Sequence, residues 1–176
     1  ARIRNRNPAL NAVIHLEAEQ AMEQARLLDE ERRQGRIRGL LHGMPMTIKD
    51  VWEVAGMPCT SGSSGLRHHV PERDADVVQR LRDAGAIIMG KTNLPDFARR
   101  GTITDSSANN RTYNSYGLDL VPGGSSGGTA TAVSGSFAVL GLGTETGGSI
   151  QNPSAAQSLV GIKPSVGLVP IDGIAP

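Results

Sequence analysis

The spacing of apolar residues changes period several times along this chain. Between residues 12 and 33, Ala18, Ala21, Met22, Ala25 and Leu28 recur at steps of three and four, with Glu, Gln and Arg between them. That spacing predicts a helix over 12–33, ended by Gly35. In "GLLHGMPMTIKDVWEV" the pattern alternates, setting Met46 and Ile48 against Thr47 and Lys49; this predicts a strand with Lys49 near its end. "AGMPCTSGSSGL" reads as a loop. Residues 74–84 predict a second helix, with Val77, Val78, Leu81 and Ala84 on one face, and "AIIMG" a short buried strand.

Beyond these, "LPDFARRG" predicts a short helix with Asn93 as its cap and Pro95 in its first turn. "SSANNRTYNSYGLDLVPGGSSGG" predicts a long irregular segment, the kind that carries function in a compact domain or is disordered. "TATAVSGSFAVLGLGTE" predicts a small-residue helix and then a strand over 138–142. "GGSIQNPSA" opens a further loop or helix, and the prolines of "VGIKPSVGLVP" predict extended chain. Helices alternating with apolar strands imply an α/β fold around a mostly parallel or mixed sheet.

Composition narrows the class. With 38% apolar and 20% charged residues among 176, the chain reads as globular. A net charge of +1 makes no case for nucleic acid or an anionic membrane, and no apolar run is long enough to span a bilayer. The single Cys59 excludes an internal disulfide and fits a reducing, cytoplasmic setting. The chain begins without Met and stops inside the apolar pattern of "IDGIAP". It is therefore expected to be one partial domain, 1–176, of a longer protein. Arg outnumbers Lys by fifteen to three, which draws attention to Lys49, Lys91 and Lys163.

Two motif matches fail on physical grounds. "GAIIMGKT" at 85–92 fits the P-loop expression, yet the residues between its glycines read as the strand itself, and a helix precedes Gly85. "GSSGG" at 124–128 fits a nucleophile elbow centred on Ser126, but "LVPGG" stands where the elbow needs a strand, and all four histidines precede it.

A third grouping has a workable chemistry. It joins Lys49, the serines of "PGGSSGG", and Ser149 in "GTETGGSI", which lies 24 residues after Ser125. The intervening helix and strand bring both Gly-rich loops to one end of a sheet. A serine needs a base to become a nucleophile. A lysine serves if held neutral; moving its pKa from about 10.4 to near 7 costs roughly 4–5 kcal/mol, within what burial imposes. Glycines beside Ser149 leave backbone N–H groups free for a developing oxyanion.

Together these stretches resemble the amidase signature family. "RGLLHGMPMTIKD", "DADVVQRLRDAGAIIMGKTNLPDFA", "PGGSSGGTATAV", "LGLGTETGGSI" and "LVGIKPSVGLVP" follow the family's motifs in order over most of the chain. The resemblance implies a mixed sheet flanked by helices and hydrolysis of a carboxamide C–N bond through an acyl-enzyme, with no cofactor and no metal. It implies Ser149 as nucleophile, Ser125 as the bridging serine after a cis peptide bond, and Lys49 as base. Backbone N–H groups across Thr146, Gly147, Gly148 and Ser149 would form the oxyanion hole. Thr144 would support the site by hydrogen bonding, and Gly124 and Ser126 flank the bridging serine.

The sequence departs from the family's pattern at Glu145, where members often carry Asp, and at Gln151, where they often carry Arg. The resemblance leaves the amide open. A stand-alone amidase, a glutaminase subunit working with partners on transfer RNA, and a catalytically incomplete fragment all fit. So do a homo-oligomer and a set of amidotransferase partner subunits.

Overall fold

A computed structural model describes residues 1–175. The chain opens with a helix that the periodicity does not predict, α1 (Arg2–Leu10). It ends at Asn11, which adopts the left-handed conformation. The Asn7 side chain then accepts hydrogen bonds from the N–H groups of Ala12 and Val13 (both 2.9 Å). This turns the chain out into β1 (Val13–Leu16) before α2 (Ala18–Arg33) begins. The helix expected over 12–33 is thus correct only from Ala18. The start of that stretch is a strand because its backbone finds partners on a neighbouring strand.

That neighbour is β3 (Ile87–Thr92), and β2 (Pro45–Lys49) lies on its other side. The four-stranded sheet has the order β1-β3-β2-β6, where β6 is Leu140–Leu142. β2 runs parallel to both β3 and β6, and β1 runs antiparallel to β3. The sheet is therefore mixed, as expected, although its last strand is shorter than 138–142.

α3 (Asp76–Asp83) precedes β3 and contributes Val78 to an apolar cluster that also holds Met46, Ile48, Val51, Trp52, Ile88 and Leu94. α4 (Gly127–Ser134) is almost wholly buried at its start, which explains its glycines, alanines and threonines: larger side chains would not fit against the sheet. A second apolar cluster joins Ala132 of α4 and Phe137 to Leu10, Ala12 and Val13.

The residues of the P-loop expression lie in β3 and the turn before it. Gly85, with φ +92°, ends the helix that precedes the strand. Lys91 is fully buried, 2.9 Å from Asp50 Oδ1, and donates to the Pro58 carbonyl (2.9 Å). It is a structural cation with no access to a phosphate.

The helix expected after Asn93 is only a 3₁₀ turn over Asp96–Ala98, with Phe97 in a left-handed conformation. Asn93 does not cap it. Its side chain is buried and bridges to Asn110 O (2.8 Å), Thr112 Oγ1 (3.0 Å) and Ser106 Oγ (2.9 Å). The long segment after Ser106 is therefore ordered by side-chain bonds as well as by the short pair β4 (Asp105–Ser106) and β5 (Asn110–Arg111). α5 (Gln151–Ala156) follows Ser149. Most of 158–170 is exposed and forms neither helix nor strand. Among the described residues no helix is long and apolar enough to cross a membrane.

Candidate active site

β2 and β6 are parallel, so their carboxyl ends and the loops beyond them open on the same side of the sheet. That is where α/β sheets gather their chemistry. Lys49 is the last residue of β2. Ser125 and Ser126 precede the first turn of α4, and Thr144 follows the end of β6.

Lys49 is completely buried. Its Nζ lies 2.7 Å from Ser125 Oγ and 2.8 Å from Thr144 Oγ1. Burial drives its pKa down to about 7, while the negative charge of Glu145 works in the opposite direction. Near neutrality this ammonium is half deprotonated, the state that base chemistry requires.

Ser125 is also fully buried and follows a cis peptide bond from Gly124. A side chain on Gly124 would place its Cβ 2.6 Å from the Arg100 carbonyl and 2.9 Å from that of Ile103, so only glycine fits. Ser126 has a different task. Its Oγ donates to Thr144 O (3.2 Å) and accepts from Thr144 N (3.3 Å), pinning the end of β6 to the start of α4. Its own backbone N–H donates to Ser149 O (3.2 Å). Trp52 adds a further tie by donating its indole N–H to Gly143 O (3.1 Å).

Ser149 is half-buried on the loop between β6 and α5. Thr146 and Gly147 are exposed. Among the described residues, the backbone N–H groups of Thr146, Gly147 and Ser149 donate to no protein acceptor. The N–H of Gly148 is directed to the Glu145 carboxylate. Gly148 turns the loop with φ +83°, a conformation that glycine adopts without strain. The structure thus brings Lys49, Ser125 and Thr144 into direct contact and ties the Ser149 loop to them through Ser126.

Trp52 and Asn93 hold roles that no sequence pattern marks. Glu145 and Gln151 stand out in the sequence only as departures from a pattern, yet they touch each other, Gln151 donating its side-chain amide to the Glu145 carboxylate. Among the described residues no group of three His, Cys, Asp or Glu side chains is placed to hold a metal ion.

The geometry has counterparts. Residues 1–176 match the profile of the family described as Amidase. The chain is 45% identical over 161 residues to a glutamyl-tRNA(Gln) amidotransferase subunit of Acidothermus cellulolyticus, covering 92% of this chain and 32% of that protein. The Thermobifida fusca protein of the same name is 47% identical over 158 residues, covering 90% and 32%. Among solved structures, the peptide amidase of Stenotrophomonas maltophilia superposes with a TM-score of 0.93 at 45% identity, over 99% of this chain and 37% of that one. An amidase family protein of Bacillus anthracis gives 0.92 at 38% identity, over 99% and 36%. The chain spans about a third of the length of the curated relatives it matches. A match along its whole length and a fold shared with solved amidases lead to one conclusion: this chain belongs to the amidase family.

Proposed function

We propose that the protein carrying this chain hydrolyses a carboxamide C–N bond through a serine acyl-enzyme. The observation that supports it most is the 2.7 Å contact between Lys49 Nζ and Ser125 Oγ in a fully buried setting. In this reading Ser149 Oγ attacks the carbonyl carbon while its proton passes to Ser125 Oγ, and the Ser125 proton passes to neutral Lys49. The carbonyl oxygen takes up the electron pair and is met by the free N–H groups of the 146–149 loop. Collapse of the intermediate breaks the C–N bond, and Lys49, through Ser125, returns a proton to the leaving nitrogen. Water then attacks the acyl-enzyme and loses its proton along the same relay, releasing the acid and restoring Ser149. Thr144 holds Lys49 in register. No cofactor enters the cycle.

The substrate is a small-molecule amide. A second reading, favoured by relatives named as amidotransferase subunits, is that the amide is glutamine and that partner subunits receive the ammonia. This chain, with a net charge of +1, is not itself expected to bind the nucleic acid. In this reading the protein works in the cytoplasm, as the single Cys59 suits a reducing setting, and acts alone, as a homo-oligomer, or with such partners.

Incubating the purified full-length protein with glutamine or simple aryl amides, each with hydroxylamine, tests both readings. Hydroxamate from an aryl amide supports a stand-alone amidase, and hydroxamate from glutamine supports the glutaminase. No hydroxamate from either, with or without amidotransferase partner subunits, contradicts the proposed reaction.

A further inference from the structure

The loop that carries Ser149 is closed by one side chain. The Glu145 carboxylate accepts the backbone N–H of Ile150 (2.6 Å) and of Gln151 (2.9 Å) through Oε2, and the Gln151 side-chain amide through Oε1. These bonds return the chain on itself across Thr146–Ser149. They divide the loop's N–H groups into two sets: those of Gly148, Ile150 and Gln151 face the carboxylate, and those of Thr146, Gly147 and Ser149 find no acceptor among the described residues. A carboxylate closing the first turn of a helix is favoured there, because its charge meets unpaired backbone N–H groups.

The neighbour before Glu145 is Thr144, whose hydroxyl touches Lys49 Nζ. The clamp and the buried lysine are therefore one residue apart. The other charges close to Lys49 cancel: Asp50 on its own segment is paired with Lys91 of β3, and α4 and β6 carry no ionisable side chain. The partner of Glu145 is neutral Gln151, so no cation balances the carboxylate within the clamp. Its negative charge then favours the protonated form of Lys49.

The geometry points to Glu145 and Gln151 as a positioning pair that holds the Ser149 loop with its free N–H groups outward and leaves an unbalanced carboxylate one residue from the Thr144 hydroxyl that touches Lys49. This rests on the hydrolase reading above. Gln151 is exposed, so a cation in its place is accommodated at the surface: Gln151→Arg keeps a donor to Glu145 and adds the balancing charge.

The test measures the rate at which a fluorophosphonate labels Ser149 of the full-length protein across pH, in the wild type and in Glu145→Ala and Gln151→Arg. Glu145→Ala is expected to label on the order of 10²-fold more slowly, as a misplaced loop would. Glu145→Gln, which keeps an acceptor oxygen, is expected to recover part of that rate. In Gln151→Arg the limb that reports Lys49 is expected to move to lower pH, an effect that mere loop packing would not produce. Wild-type rates in Glu145→Ala together with an unmoved limb in Gln151→Arg would overturn the pairing and leave the hydrolase reading intact. If Glu145→Ala does not fold, the Gln151→Arg limb alone decides. No labelling of Ser149 in the wild type would overturn both.

Discussion

Lys49 Nζ and Ser125 Oγ, 76 positions apart in sequence, lie 2.7 Å from each other in a pocket closed to solvent. One residue ends a central strand and the other stands just before the cap of a buried helix, so the contact depends on the whole βαβ arrangement between them.

Because burial brings Lys49 down to about 7, a base at this position is half active near that pH. On the proposed relay the base works in its neutral form, so kcat/KM is expected to rise with pH through a single ionisation near 7 and then level off. Lys49→Arg keeps the charge and removes the proton acceptor. It is expected to lower kcat on the order of 10⁴-fold and to abolish that limb. A pH–rate series on both proteins checks this, and an unchanged limb in the variant excludes Lys49 as base.

The same burial costs stability. The folded-state pKa of Lys49 lies below its unfolded value, so between these two values the unfolded chain holds more protons. Stability therefore rises with pH across that window, and the penalty is fully present below about pH 7. Lys49→Met is expected to raise stability at neutral pH by about 1–2 kcal/mol while abolishing activity, with the gain shrinking as pH approaches 10. Denaturant melts at several pH values measure both.

Much of this site was legible. The alternation through Met46–Lys49 marked a strand ending in lysine, and the Gly-Ser runs marked the loops that meet it. Other features were hidden because their partners are remote or their segments short. β1 has four residues beside a 16-residue helix, so the helical period swallowed it. Asn93 looked like a local cap, but its partners lie 13 to 19 positions away. The contact between Glu145 and Gln151 depends on the tight turn at Gly148, which no periodicity reveals.

Adjacent serines should behave very differently. Ser125→Ala removes the hydroxyl that Lys49 Nζ touches and, on the proposed relay, is expected to lower kcat on the order of 10³-fold or more. Ser126→Ala loses two hydrogen bonds to the Thr144 backbone. It is expected to cost about 1–2 kcal/mol of stability with a much smaller loss in kcat. Parallel kinetics and thermal melts separate the two roles, and the reverse ranking would favour the elbow centred on Ser126.

Lys91 and Asp50 form a fully buried ion pair, and Thr60 adds hydrogen bonds to Asp50 Oδ2 from its backbone N–H (3.1 Å) and hydroxyl (2.5 Å). Lys91→Met leaves a buried carboxylate unpaired and is expected to destabilise the fold by about 3–5 kcal/mol. Asp50→Asn combined with Lys91→Met is expected to recover part of that loss. Isothermal titration with ATP is expected to show no binding to the wild type. Affinity that Lys91→Met removes from a folded protein would contradict the structural role.

The central claim, that Ser149 forms the covalent intermediate, is tested most directly by locating the adduct. The full-length protein is treated with a fluorophosphonate, digested, and mapped by tandem mass spectrometry. Modification is expected on Ser149, and its loss is expected in both Ser149→Ala and Lys49→Arg. Modification on Ser126, or labelling that persists in Ser149→Ala, would contradict it.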